Sequence, residues 1–153
     1  MWLDDYNNCQ IKGPWSRLKI IEHLEGAIIP IRLSVISPGG WPLIASLWFF
    51  MDTEGIWSAT PKSSKVAKIL FNTPKCGFEI ASDNPPYFGI RGQAIAKISP
   101  GKAEEVLLSV LDKYNQQNSS LAKWLLSRVD EEVAVHLKPI RIQSWDYTER
   151  MQT

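Results

Sequence analysis

Residues 42–70 read PLIASLWFFMDTEGIWSATPKSSKVAKIL, and their changing periodicity decides the architecture. In an extended chain Leu43, Ala45, Leu47, Phe49 and Met51 share one face, and Ile44, Ser46, Trp48 and Phe50 share the other. Both faces are largely apolar, so the expected strand is covered on both sides. Asp52-Thr53-Glu54-Gly55 supplies a hairpin turn into a second strand, Ile56 to Thr60, with Ser58 and Thr60 on one face opposite Trp57 and Ala59. The period then lengthens. Val66, Ile69 and Leu70 stand at helical spacing, with Pro74 beyond the end, which predicts a helix over 64–71.

Outward from this segment the same short periods recur. Upstream, Ser16 opens a short helix with Leu18, Ile21 and Leu24 on one face and Gly26 as its stop. Ile29, Ile31, Leu33 and Val35 alternate along a strand, and Pro38-Gly39-Gly40-Trp41 makes the turn into the next. Downstream, 76–82 and 87–99 read as strands separated by the breaker Asp83-Asn84-Pro85-Pro86. In the second of these Phe88, Ile90, Ala94 and Ile98 face one way, and Tyr87, Arg91 and Gln93 the other. Residues 101–117 and 120–129 read as helices. Residues 133–147 close the chain as a strand broken by Pro139, a residue suited to an edge or a bulge. Short antiparallel strands dominate and helices lie at the periphery, which predicts a mainly β domain spanning 1–153, a small barrel.

Composition narrows the function classes. The chain has 153 residues, 44% of them apolar and 22% charged, with a net charge of +1. That length suffices for one hydrophobic core, and that charge points to neither a nucleic-acid nor a membrane partner. The Asp4-Asp5 pair precedes any apolar run, which is wrong for a signal peptide, and no apolar stretch reaches membrane-spanning length; a cytoplasmic protein is expected. Cys9 and Cys76 form no zinc or disulfide framework, and no metal site is expected. No nucleotide, hydrolase or metalloprotease motif occurs. His23 and His136 read as packing or surface residues. The clusters Asp4-Asp5, Glu104-Glu105 and Asp130-Glu131-Glu132 read as acids at element ends. With no nucleophile, base or metal, an enzyme here would take its chemistry from a cofactor.

One segment invites a ligand. Thr60, Lys62, Ser63, Ser64 and Lys65 crowd a strand-to-helix junction, where unpaired N–H groups and a partial positive charge attract anions. A capped helix with solvated lysines explains the same residues equally well locally.

The longer pattern resembles a known family. Gly40-Trp41-Pro42 with the strand to Phe50, Ile56-Trp57-Ser58-Ala59-Thr60-Pro61-Lys62-Ser63-Ser64-Lys65, Asn72 to Ile80, Ile90-Arg91-Gly92-Gln93-Ala94 and Pro139 to Tyr147 follow in order the motifs of the pyridoxamine 5′-phosphate oxidase-like proteins. The resemblance implies a six-stranded antiparallel Greek-key split β-barrel, a homodimer, and FMN bound in clefts at the interface. It implies that Thr60 and Lys65 hold the cofactor phosphate, with Ser58, Ala59, Lys62, Ser63 and Ser64 in the same segment. Relatives commonly have Arg where this chain has Ser64, which removes a fork of donors. It places Ser46, Leu47 and Trp48 along the flavin ring, and Arg91, Gln93 and Trp145 as further contacts. Deazaflavin and haem are the alternative cofactors, and a flavin-binding sensor without turnover is the alternative function. The arginine-rich C-terminal segment of the vitamin B6 oxidase itself has no counterpart after Tyr147, so the resemblance implies a cofactor class and an unknown small-molecule substrate rather than that reaction.

Overall fold

The computed structural model describes residues 1–4 and 8–152; Asp5, half of the N-terminal acidic pair, lies outside them. Eight strands form one sheet: β1 (Gln10–Lys12), β2 (Ile31–Ile36), β3 (Pro42–Leu47), β4 (Phe49–Met51), β5 (Ile56–Pro61), β6 (Lys75–Ala81), β7 (Phe88–Ser99) and β8 (Glu132–Asp146). Four helices, α1 (Arg17–Gly26), α2 (Lys65–Asn72), α3 (Ala103–Lys113) and α4 (Ser120–Ser127), lie around it. The sheet order is β3-β2-β6-β7-β8-β5-β4, with β1 added in parallel to β8. β3 and β4, at opposite ends of this order, are halves of one extended segment interrupted only at Trp48. The sheet therefore curls until its two ends meet through the chain, which is a barrel split at Trp48. The six strands expected are β2, β3 with β4, β5, β6, β7 and β8, and all their pairings are antiparallel.

Alternation places the core. Ile31, Leu33 and Val35 of β2, Phe78 and Ile80 of β6, Ile90 and Ala94 of β7, and Leu137 and Ile142 of β8 are buried together inside the barrel. Three expectations need correction. On α1 the buried residues are Ile20 and Leu24, while Leu18 is 64% exposed. The strand at β3 is covered on one face only: Leu43, Ala45 and Leu47 pack on the core, but Ile44 is 71% exposed and Ser46 is exposed. Cover on the second face begins at Trp48 and Phe50, which pack with Trp57, Val106 and Val110, because α3 reaches only that end of the segment. Finally, β8 runs unbroken through Pro139 in the middle of the sheet. Gln93 pairs with Arg141 and Ala94 with Pro139, so Ile140 is the extra residue of a bulge. A bulge tolerates a residue without an N–H, which is how proline enters a central strand.

The turn between β4 and β5 depends on Gly55. Its φ is +152°, and a Cβ there would collide with the Leu137 carbonyl oxygen and lie 2.7 Å from His136 Nε2. Asp52 secures the same turn by accepting from Glu54 N–H, Gly55 N–H and the Trp57 indole. Among the described residues, no helix is long and apolar enough to cross a membrane.

Candidate functional site

The start of α2 is built as an ordinary cap. Ser64 is extended, and its Oγ accepts from Ala67 N–H at 3.1 Å and from Thr60 Oγ1 at 3.2 Å. Ser58, also buried, donates to the Trp48 carbonyl oxygen at 2.6 Å. These three hydroxyls are engaged within the protein, and Ser58 pins the β3–β4 interruption to β5. Lys62 is tied to the short 3-10 turn Val129–Glu131 ahead of β8: its N–H donates to the Glu131 carbonyl at 2.8 Å and its Nζ lies 3.8 Å from Glu131 Oε1.

Ser63 and Lys65 are exposed. Lys65 opens onto a cleft of about 470 Å³ with Ser37, Trp41, Pro42, Leu43 and Lys68. Lys62 opens onto a different cavity, about 800 Å³, on the other side of α2. Lys68 lines both. The structure thus separates Lys62 from Lys65, and Lys68, which sequence reasoning did not single out, stands with each.

Four of the remaining site residues come together. Ser46, Leu47, Trp48 and Ala59 line one cavity of about 370 Å³, whose opposite wall is α3 and α4 through Leu107, Val110, Leu121 and Trp124. Cavities of this size, mostly apolar with a few polar groups, are typical small-molecule sites. Trp48 is held rigidly. Its ring stacks on Tyr114 at 4.8 Å and 13°, and Tyr114 Oη donates to the Ile29 carbonyl at 2.8 Å while accepting from Phe49 N–H at 3.4 Å. The polar residues of this cavity besides Ser46 are Arg128 and Glu132. Glu132 is buried, with Arg128 Nη1 3.6 Å from its Oε1, and that oxygen has no hydrogen-bond partner. Burial pushes the Glu132 carboxyl up, and the Arg128 charge partly offsets this. Reading Asp130-Glu131-Glu132 as acids at an element end missed this residue. Its burial depends on β5 and on the helices packed around it, which local sequence does not reveal.

Arg91 and Gln93 lie outside that cavity. Cross-strand pairing aligns Ser46, Arg32, Glu79, Arg91 and Gln143 in one row on the outer face of the sheet. Arg91 is three strands from Ser46, roughly 14 Å at the usual strand spacing. It lines a separate concavity of about 820 Å³ with Gln93, Arg32, Arg141, Glu79 and Gln143. Trp145 belongs to neither group; its ring packs on Tyr147 at 5.2 Å and its indole N–H is buried without a partner.

Both histidines are engaged in packing. His23 Nε2 lies 2.9 Å from the Ile80 carbonyl with its ring beside Trp15, and burial lowers its pKa. His136 Nε2 lies 2.9 Å from the Glu54 carbonyl, its ring over Trp57. Cys9 and Cys76 are buried free thiols, Cys76 raised to about 11 by burial. Among the described residues, no group of three His, Cys, Asp or Glu side chains could hold a metal ion.

No protein-family model matches the sequence, and no curated protein matches it either. Solved structures do. The conserved hypothetical protein Rv2991 of Mycobacterium tuberculosis superposes with a TM-score of 0.77 at 21% identity, covering 92% of this chain and 90% of that one. An F420 reductase superposes at 0.67 with 16% identity over 79% and 94%. The heme storage protein HutZ of Vibrio cholerae does so at 0.61 with 15% identity over 78% and 87%. The fold is that of the pyridoxamine 5′-phosphate oxidase-like split barrels. Identities this low bear on the architecture alone. The split barrel nevertheless gives the interruption at Trp48 its meaning, because that is where the two ends of the sheet meet and where the apolar cavity opens.

Proposed function

We propose that this split barrel is an FMN-dependent oxidoreductase acting on a small molecule, with the flavin bound at a homodimer interface. The observation that carries the reading is the convergence of Ser46, Leu47, Trp48 and Ala59 on one apolar cavity beside a rigid tryptophan. That cavity suits a planar ring: its walls are mostly aliphatic and aromatic, with Ser46, Arg128 and Glu132 as its polar residues. When bound, FMN would supply hydride or electron transfer, and the protein's part is to hold the ring, exclude water and admit the substrate.

The phosphate is assigned to Lys65, whose cleft also holds Lys68 and the Ser37 hydroxyl. Thr60 and Ser64 support this position by fixing the first turn of α2 rather than by contacting the ligand. Arg91, Gln93 and Trp145 are assigned to the second chain's contribution, since the cavity of one chain does not include them. Ile44, 71% exposed on the outer face of β3, lies on the surface a partner chain would cover.

A deazaflavin is the second reading, favoured by the similarity to an F420 reductase, whose ring would meet the same walls. The similarity to a heme storage protein raises haem, but the packing of His23 and His136 against carbonyls and aromatic rings weighs against an axial ligand. The test is an absorbance spectrum after incubation with FMN and desalting, followed by NAD(P)H oxidation at steady state. A retained flavin spectrum with turnover is expected. Retention without turnover would indicate a flavin-binding sensor, and a colourless protein would remove the flavin assignment.

A further inference from the structure

The cavity beside Trp48 has a polar end that the oxidoreductase reading does not use. Glu132, the first residue of β8, is 3% exposed, and its Oε1 is buried with no hydrogen-bond partner. A carboxylate in such a place loses hydration, and a nearby charge without a hydrogen bond compensates only in part. The neighbouring Arg128 Nη1 stands at 3.6 Å, too far for a hydrogen bond to Oε1. The guanidinium is itself positioned, its central carbon 4.6 Å from the Trp124 ring. The two groups therefore line the cavity as a fixed pair, an acceptor beside a fork of donors, each with capacity left over. Within this cavity the residues around them are apolar or aromatic, apart from Ser46, and Glu132 also borders the larger cavity beside α2.

The complement of an acceptor next to a donor is a donor next to an acceptor. A ring N–H adjacent to a ring carbonyl has that form, with the N–H donating to Glu132 and the carbonyl accepting from Arg128. Both bonds would be charge-assisted, the stronger kind. We propose that Glu132 and Arg128 together read the imide edge, N–H beside C=O, of a planar heterocycle seated between Trp48 and α4. This rests on the flavin reading and deepens it: it selects ligands with a cyclic imide, which flavin and deazaflavin have and haem lacks. Glu132 and Arg128 are binding residues: they hold the imide edge and take no part in the electron transfer, which belongs to the central ring.

The test compares FMN with its derivative methylated at the imide nitrogen, titrated into the full-length protein and followed by flavin fluorescence. The wild-type protein is expected to bind FMN at least about tenfold more tightly, since the methyl group removes the only donor to Glu132. Glu132→Leu is expected to erase the preference by weakening FMN while leaving the methylated compound within a few-fold. Glu132→Gln, which keeps an acceptor and the shape, is expected to retain part of it. Equal wild-type affinity for the two compounds would overturn the imide assignment and leave the flavin reading standing. A preference that survives in a folded Glu132→Leu protein would also overturn it, by showing simple exclusion of the methyl group. Binding of neither compound would remove both readings together. The wild-type comparison decides the matter even if Glu132→Leu does not fold.

Discussion

Lys113 shows how one residue ties stability to the site. Its Nζ donates to the Leu24 carbonyl at 2.9 Å and lies 3.7 Å from the Phe49 ring centre, so the α3 terminus is fastened to α1 and to the barrel. Burial lowers its pKa to about 8, with Glu25 acting against that shift. The folded state therefore releases this proton before the unfolded chain does, and stability from this group rises with pH from about 8 towards 10.5. Above pH 9 the raised Cys76 thiol acts in the opposite sense, because the unfolded chain loses that proton first. Urea midpoints at pH 8 and 9 should accordingly rise in the wild-type protein relative to Lys113→Met. An identical trend in both would refute the assignment. Next to it, Tyr114→Phe removes the donor to Ile29 and is expected to cost about 1–2 kcal/mol. It should also loosen the Trp48 stack, seen as a change in tryptophan fluorescence, whereas an unchanged midpoint would place Tyr114 outside the site's support.

Elements differ in how openly the sequence displays them. Alternation in β2, β6 and β7 and the caps at Ser16 and Ser64 are local signals, and the structure follows them. Ser64 spans two levels, since it caps α2 and receives the Thr60 hydroxyl. Ser64→Ala is therefore expected to cost about 1–2 kcal/mol in urea unfolding, against at most about 0.5 for the exposed Ser63→Ala. Equal costs would show that the cap carries little. What was not legible depends on contacts between distant segments. Pro139 suggests a broken strand at an edge or a bulge; the bulge is what forms opposite Gln93 and Ala94, and nothing local shows that the strand runs on unbroken through the middle of the sheet. On α1 only Leu18 departs from the expected face, since Ile21 packs on the core and Leu24 is buried; Leu18 and Ile20 are equally apolar and only the barrel decides which is covered. Half of the candidate cavity belongs to α3 and α4, more than 50 residues from Trp48 in sequence, and the burial of Glu132 likewise depends on segments distant in the chain.

At the scale of the molecule, the closure of the sheet through Trp48 joins fold and site. The two halves of one strand lie at opposite ends of the sheet, and the cavity opens where they part. Ile44 on the outer face of β3 has no cover within one chain, and in the proposed dimer a second copy would cover it. Ile44→Glu is expected to convert a dimer to a monomer in sedimentation velocity while changing chain stability by at most about 0.5 kcal/mol, since Ile44 is exposed. A wild-type monomer would remove the interface. Lys65→Ala is expected to weaken FMN by about 1.5–3 kcal/mol through loss of a charge-assisted contact, measured by titration, and unchanged affinity would remove the phosphate assignment. The most direct measurement is a crystal structure of the protein grown with FMN. The account predicts the ring against Ser46, Leu47 and Trp48, its imide edge towards Arg128 and Glu132, and its phosphate at Lys65. A flavin seated instead in the cavity behind α2, or on the outer face beside Arg91 within one chain, would contradict it.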